Sequence, residues 1–211
     1  MRITKKVSKK LKEGNTPFLI LICGMPGTRK SSTAVMLGGL LEFSSVIGMD
    51  EVRDIMKIYD QRPLVSSKSH YCWEMFGGFN PKNFTKGYYA HSRALKKGVM
   101  AAIKKNMALG ENTIIEGVHL APSLYQKIPG ARKFHFVLIS KDFQHHNRLL
   151  NKKFSRRHGR QKPWPESKIR KVEAIQEILS KNAAKYNAIL IDSENPRKNC
   201  QKIISCLDKN L

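Results

Sequence analysis

The feature that most constrains the fold of this chain is an apolar run followed at once by a glycine-containing loop and a helical pattern. The run, Phe18–Cys23, contains apolar residues only, as is typical of a parallel strand buried on both faces. The loop reads Gly24-Met-Pro-Gly-Thr-Arg-Lys-Ser-Ser, and Ala34, Leu37 and Leu41 follow at helical spacing. A strand, a loop and a helix in this order are the setting of a phosphate-binding loop.

The chemistry of such a loop predicts a nucleotide site here. Successive backbone N–H groups surround phosphate oxygens, and the helix N-terminus adds partial positive charge. At this spacing a lysine reaches the β- and γ-phosphates and a serine binds Mg²⁺, so Lys30 is predicted to be catalytic and Ser31 to be a metal ligand. We predict that ATP is bound by the whole loop, which comprises Gly24, Met25, Pro26, Gly27, Thr28, Arg29, Lys30, Ser31 and Ser32.

The loop departs from the pattern GxxxxGK[ST] at one position, where Arg29 replaces the second glycine. The arginine either crowds the nucleotide or points outward and adds a charge. Two further interpretations stay open: a degenerate loop with weak or no catalysis, and an ordinary turn that precedes a helix.

Four more apolar segments alternate with helical periodicity, which predicts a parallel α/β sheet of five strands flanked by helices. The additional strands are predicted at Ser45–Met49, Asn112–Glu116, Lys133–Ile139 and Ala188–Ile191. We expect residues 17–211 to form one domain. Residues 1–16 are basic and form either a flexible arm or a short extra element.

Acidic residues follow the second and third predicted strands, where α/β proteins bind their ligands. Asp50 is the candidate base for an attacking hydroxyl, and it or Glu116 is expected to reach Mg²⁺ through water. Arg53, Glu116 and His119 are candidate substrate ligands. Asp50 has an alternative role as the N-cap of the next helix, and His119 has one as a structural residue.

A basic segment, about 148–165, follows the fourth strand and is predicted to form a lid. Arginines on such a lid close over phosphates and neutralise charge that develops during transfer. Arg156 and Arg157 are therefore predicted to be catalytic, and Arg148 and Arg160 to bind substrate, with His158 between them. The alternative is a solvated basic helix end.

The net charge of +23 is concentrated in two segments. Residues 1–16 carry six Lys or Arg against Glu13, and residues 141–171 carry eleven against two acids. Such fields attract polyanions, including nucleic acid, although a lysine-rich solvated surface gives the same composition. The four cysteines form no CxxC pair and no apolar run approaches the ~20 residues of a membrane span, so we expect a cytoplasmic protein.

Three strings of residues resemble the archaeal 2-phosphoglycerate kinases and their P-loop kinase relatives. They are Asp50-Glu-Val-Arg-Asp-Ile-Met, Gly87-Tyr-Tyr-Ala-His-Ser and Ile115-Glu-Gly-Val-His-Leu-Ala-Pro. The resemblance runs from about Pro17 to Asp192. It implies a nucleoside-kinase-type sheet, ATP and Mg²⁺ at Lys30 and Ser31, and an acceptor near Asp50, Glu116 and His119.

The expected function is therefore transfer of the γ-phosphoryl group of ATP to a hydroxyl of a small phosphorylated acid such as 2-phosphoglycerate. One alternative is an RNA or nucleoside kinase that uses the basic arm and lid, in which only Phe143, Phe154 and Trp164 are available for base stacking. The other is a nucleotide-binding regulator that has lost turnover through Arg29.

Overall fold

A computed structural model describes residues 2–13, 16–144, 146–148, 150–151 and 166–211. Five parallel strands form one sheet in the order β2-β3-β1-β4-β5. The strands are β1 Phe18–Gly24, β2 Ser45–Gly48, β3 Thr113–Glu116, β4 Arg132–Ile139 and β5 Ile189–Asp192. The predicted five-stranded parallel sheet is therefore confirmed.

The helices lie between the strands, as the alternating pattern requires. They are α1 Arg2–Lys12, α2 Lys30–Leu41, α3 Met49–Tyr59, α4 Pro63–Ser66, α5 Pro81–Ala108, α6 Glu166–Lys185 and α7 Pro196–Asn210. Short 3₁₀ turns span Glu74–Phe76 and Pro122–Leu124, and residues 143–144, 146–148 and 150–151 are helical. Asn80 and Asn195 cap α5 and α7 by accepting a backbone N–H at 2.8 and 3.0 Å, each ahead of a proline at the first helical position.

Both faces of the central strand are buried, so successive β1 side chains enter two different core layers. Leu19, Leu21 and Cys23 pack with α5 and α6, whereas Phe18, Ile20 and Ile22 pack with α1, α2 and α7. This arrangement explains why β1 reads as a continuous apolar run. None of the described helices is long and apolar enough to cross a membrane.

Residues 2–12 form helix α1. Of a flexible arm and a short extra element, the two alternatives for the basic N-terminal residues, the structure shows the extra element. Val7 and Leu11 are buried, and the Ser8 hydroxyl donates to the Leu41 carbonyl at 3.2 Å. Asn112 joins the end of α1 to the start of β1, because it donates to the Leu11 carbonyl and accepts from Phe18 N. The carboxyl end of α1 thus lies at the opposite edge of the sheet from the phosphate loop, about 20 Å away along β1.

Candidate active site

The carboxyl ends of β1, β2 and β3 meet at one edge of the sheet. The register pairs Ile22 with Glu116 and Gly48 with Glu116 across neighbouring strands. The loops that follow these strands therefore carry their side chains to the same place, which is the ligand-binding edge of a parallel sheet.

The loop between β1 and α2 depends on two glycines. Gly24 has a φ of +155° and Gly27 a φ of +92°, which side chains rarely adopt. A Cβ at Gly24 would overlap the Leu138 carbonyl, and one at Gly27 would stand 2.8 Å from both His146 and Leu150. These backbone positions have no room for a side chain, which fits a loop that curls around phosphate.

Arg29 stands in the left-handed conformation, with φ +61° and ψ +20°, immediately before α2 begins at Lys30. This backbone conformation explains why a glycine is usual at this position. The Arg29 side chain is exposed and makes no capping hydrogen bond to the helix. Both alternatives for the Arg29 side chain therefore stay open.

Lys30 is buried at the base of the loop. Its Nζ donates to the Met25 carbonyl at 3.1 Å, and the Thr28 hydroxyl donates to the same carbonyl at 2.8 Å. Ser31 and Ser32 follow on the exposed side of the first turn of α2. The lysine ammonium is therefore held inside the concave face of the loop, beside the helix N-terminus.

Glu116 at the end of β3 faces this lysine and serine. Burial raises the pKa of Glu116, while the positive charge of Lys30 and a hydrogen bond with the Ser31 hydroxyl oppose that rise. Asp50 and Glu51 also raise the pKa of Glu116 because like charges disfavour a further carboxylate. The structure thus brings the predicted residues Lys30, Ser31, Asp50 and Glu116 together.

Glu51 joins this group and was missed by the sequence interpretation. A Cβ at Gly48 would overlap the Glu51 carboxylate and stand 3.4 Å from Glu116 Oε1. Gly48 therefore leaves room for two carboxylates at the end of β2. The string Asp50-Glu-Val-Arg indicated a ligand-binding strand end, but nothing in it distinguishes Glu51 from a solvated side chain.

Asp50 and Arg53 form an ion pair on the first turns of α3. Arg53 Nη1 lies 3.1 Å from Asp50 Oδ1, and its Nη2 lies 3.3 Å from Asp54 Oδ1. The Asp50 side chain is 73% exposed and that of Arg53 is 14% exposed. Because Gly48 is the N-cap of α3 and no side chain caps the helix, the alternative of Asp50 as the N-cap is wrong.

His119 lies behind this pair and packs against His91 of α5. The two ring centroids are 4.3 Å apart at an interplanar angle of 79°. Burial lowers the pKa of His91 to about 4 and lowers the pKa of His119 well below its usual value, so both rings are neutral near pH 7. His91 was missed from the sequence, although it lies in the quoted string Gly87-Tyr-Tyr-Ala-His-Ser.

The tautomer of His91 follows from its surroundings. Its Nδ1 hydrogen-bonds to the Leu64 carbonyl, which can only accept, so Nδ1 carries the proton. His91 Nε2 and His119 Nδ1 are buried and have no hydrogen-bond partner among the described residues. Two neutral imidazoles with unused nitrogen atoms therefore lie near Arg53.

The predicted lid falls mostly outside the described residues. Arg156, Arg157 and Arg160 lie in the part of the chain that the structure does not describe, as does His158. Arg148 is described and exposed, two residues from His146, which contacts the position of Gly27. The start of the basic segment thus lies against the phosphate loop.

The residues present fit ATP and Mg²⁺. The glycine-lined loop has a concave backbone that a Cβ would fill, and Lys30 supplies positive charge inside it. The described residues contain no group of three or more His, Cys, Asp or Glu that holds a metal by itself. Ser31 with Glu116, Asp50 or Glu51 matches a Mg²⁺ ion bound through few protein ligands, with water and phosphate oxygens completing its shell.

The sheet order and the loop together define a P-loop kinase fold. No family model matches the sequence. Shikimate kinase from Acinetobacter baumannii, solved in complex with shikimate, superposes with a TM-score of 0.56 over 96% of this chain and 98% of that chain, at 13% identity. This likeness shows the fold alone.

The particular relatives are the archaeal 2-phosphoglycerate kinases. That of Pyrococcus horikoshii is 25% identical over 202 residues, which cover 93% of this chain and 66% of the relative. That of Methanocaldococcus jannaschii is 33% identical over 114 residues, which cover 53% of this chain and 37% of the relative. The resemblance drawn from the sequence is confirmed. The chain spans 66% of the length of the first relative and 37% of the second.

Proposed function

We propose that this chain transfers the γ-phosphoryl group of ATP to a hydroxyl of a small phosphorylated hydroxy acid such as 2-phosphoglycerate. The observation that carries the proposal is the meeting of a phosphate loop with Glu116, Asp50 and Arg53 at one sheet edge. The relatives named 2-phosphoglycerate kinase support this acceptor class.

Lys30 and the loop amides bind the β- and γ-phosphates in this proposal. Lys30 is already held by the Met25 carbonyl, so little side-chain freedom is lost when phosphate is bound. Its ammonium offsets charge on the phosphates and stabilises the charge that moves onto the leaving oxygen during transfer. Ser31 and Glu116 would hold Mg²⁺, which would neutralise part of the phosphate charge.

The carboxylates divide into two roles according to their exposure. Glu116 is buried between Lys30 and Ser31, which suits a water-mediated ligand of the metal. Asp50 is exposed and adjoins Arg53, which suits a group that orients the acceptor hydroxyl and accepts its proton. Glu51 lies across Gly48 from Glu116 and is the second candidate for the metal side.

Arg53 binds the acid or phosphate group of the acceptor that is not transferred. Its guanidinium is largely buried and already holds Asp50, so it can place an anion beside the predicted base. The uncharged rings of His119 and His91 pack together next to Arg53. Arg148, Arg156, Arg157 and Arg160 are proposed to close over the phosphates from the basic segment.

The alternatives make different demands on the chain. An RNA kinase that uses the basic arm requires α1 to approach the site, yet the carboxyl end of α1 packs at the opposite edge of the sheet. A regulator without turnover requires Arg29 to prevent transfer while ATP still binds, which the Arg29→Gly variant tests. The position of α1 favours a small acceptor over RNA, and binding of RNA outside the site stays a separate prediction.

The deciding experiment is transfer of label from γ-labelled ATP to a panel of 2-phosphoglycerate, related phosphorylated acids, nucleosides and tRNA. We expect label in a phosphorylated acid, and transfer that is about 100- to 1000-fold slower when Lys30→Ala protein purified in the same way replaces the wild type. Labelled tRNA or nucleoside with no labelled acid would establish the runner-up. Binding of ATP without transfer to any acceptor would point to the regulator.

A further inference from the structure

Three aromatic side chains between α4 and α5 surround the ammonium of one lysine on α6. Lys171 Nζ lies 4.7 Å from the ring centroid of Trp73, 5.3 Å from that of Tyr71 and 5.6 Å from that of Phe79. Trp73 and Phe79 meet edge to face at 5.3 Å. We call these three rings the aromatic cage.

The cage differs from the other lysine–aromatic contacts of the described chain. Lys96 and Lys185 each lie over a single ring, at 5.8 and 5.5 Å. A cation over an aromatic face is attracted by the ring quadrupole, and the attraction grows as water is removed from around it. Three rings that share one ammonium therefore fix the segment 71–79 to α6 more firmly than their apolar contacts alone.

The same segment is seated against α5 at the turn that leads to the histidine pair. A Cβ at Gly87 would overlap the Cys72 carbonyl, so backbone and helix are in direct contact there. One turn later comes His91, which packs on His119. Between them, the Tyr88 hydroxyl donates to the Val118 carbonyl at 2.7 Å, one residue before His119.

We propose that Lys171 is a positioning residue: by clamping the aromatic cage onto α6, it holds segment 71–79 and α5 in place and so keeps the acceptor side of the site assembled. Lys171 reaches no phosphate loop residue in this proposal, and its effect on the acceptor is exerted through Gly87 and His91. The kinetic part of the inference rests on the proposed kinase function. The structural part does not.

The test compares Lys171→Gln with Lys181→Gln. The first substitution keeps length and helix propensity but removes the caged charge. The second removes an exposed lysine of the same helix that pairs with Glu177 one turn away at 2.6 Å. Lys171→Arg, which keeps a cation, serves as the rescue variant, and circular dichroism establishes that all three are folded.

Hydrogen exchange of full-length protein is the first readout because it needs no substrate. We expect exchange at residues 71–79 and 87–91 to rise about tenfold in Lys171→Gln, equivalent to 1.36 kcal/mol, and to stay at the wild-type rate in Lys181→Gln. The second readout is kinetic: the KM for the acceptor should rise about tenfold while the KM for ATP is unchanged. Lys171→Arg should restore both.

Unchanged exchange in Lys171→Gln would overturn the clamp, whether or not the protein transfers phosphate. Faster exchange confined to 71–79, or equal changes in the KM for ATP and for the acceptor, would overturn the positioning role. If no acid in the panel accepts phosphate, only the proposed function is refuted. The structural inference is still tested by whether the faster hydrogen exchange extends from residues 71–79 to residues 87–91.

Discussion

Replacing Arg29 with glycine should stabilise this protein and leave its affinity for ATP intact or higher. Arg29 is held at φ +61° and ψ +20°, where the Cβ of an L-residue lies too close to the following carbonyl. The strain in this conformation is about 1–2 kcal/mol per residue. Glycine relieves it but loses roughly 0.5–1 kcal/mol through its greater freedom in the unfolded chain.

The net expectation is a gain of about 0.5–1 kcal/mol in the free energy of unfolding. For a domain of this size, that gain raises Tm by roughly 1–4 °C. Urea denaturation followed by circular dichroism measures the free energy, and nucleotide titration by calorimetry measures ATP binding. Because the Arg29 side chain is exposed, we expect no loss of ATP affinity when it is removed.

Two controls separate the backbone effect from the charge. Arg29→Ala removes the guanidinium but keeps the Cβ, so it should not gain this stability. Glu42→Gly changes another left-handed residue, with φ +57°, at the far end of the same helix, and should gain stability without any effect on ATP. A drop in ATP affinity in both Arg29 variants would show that the arginine is a phosphate ligand. Equal stability of the Gly and Ala variants would refute the strain argument.

Three further predictions follow from the described contacts. Lys30→Ala should lower turnover at saturating ATP by about 100- to 1000-fold, measured by label transfer, because a preorganised charge at the transferring phosphoryl is lost. Burial lowers the pKa of His91 to about 4, so the neutral ring stabilises the fold fully above the unfolded pKa of ~6.5, and this stabilisation is lost as the pH falls toward 4. Between these two pH values, His91→Asn should therefore lose roughly 3 kcal/mol less of its free energy of unfolding than the wild type, measured by urea denaturation. The double variant Lys5→Glu, Lys10→Glu should weaken tRNA binding and reduce the slope of log affinity against log salt by about 0.7–0.9 per lost phosphate contact, with turnover unchanged. A loss of turnover in folded protein would contradict the position of α1.

The fold was predictable because its signals are local. The run Phe18–Cys23 is apolar throughout since both faces of β1 are covered, and the observed strand adds only Gly24. The remaining strands lie within one or two residues of their predicted bounds. Parallel pairing of alternating strands and helices then follows from chain connectivity. The basic N-terminal residues were ambiguous because their apolar positions at helical spacing, Ile3, Val7 and Leu11, are few.

The site was predictable where a residue ends a strand and obscure where two distant elements meet. Asp50 and Glu116 stand at strand ends, so sheet topology alone brings them together. Glu51 lies beside Glu116 only because β2 pairs with β3 and Gly48 has no side chain. His91 lies in the middle of α5 and becomes part of the site only because its ring packs on that of His119, after β3. Helical periodicity identifies a buried face but not which loop that face touches.

The position of α1 changes how the positive charge of this chain should be interpreted. Composition supplies a total of +23 and the sequence assigns part of it to the first residues, but neither locates that part relative to the phosphate loop. In the folded chain, contacts of Leu11 with Asn112 and of Lys6 with Asp208 hold α1 near the amino-terminal edge of the sheet, away from the phosphate loop. An RNA acceptor would have to follow the surface for about 20 Å to reach both places, whereas a small acid needs only the carboxyl edge. We therefore expect polyanion binding at α1 and the proposed phosphoryl transfer at Lys30 to be separable, so a variant that loses one should keep the other.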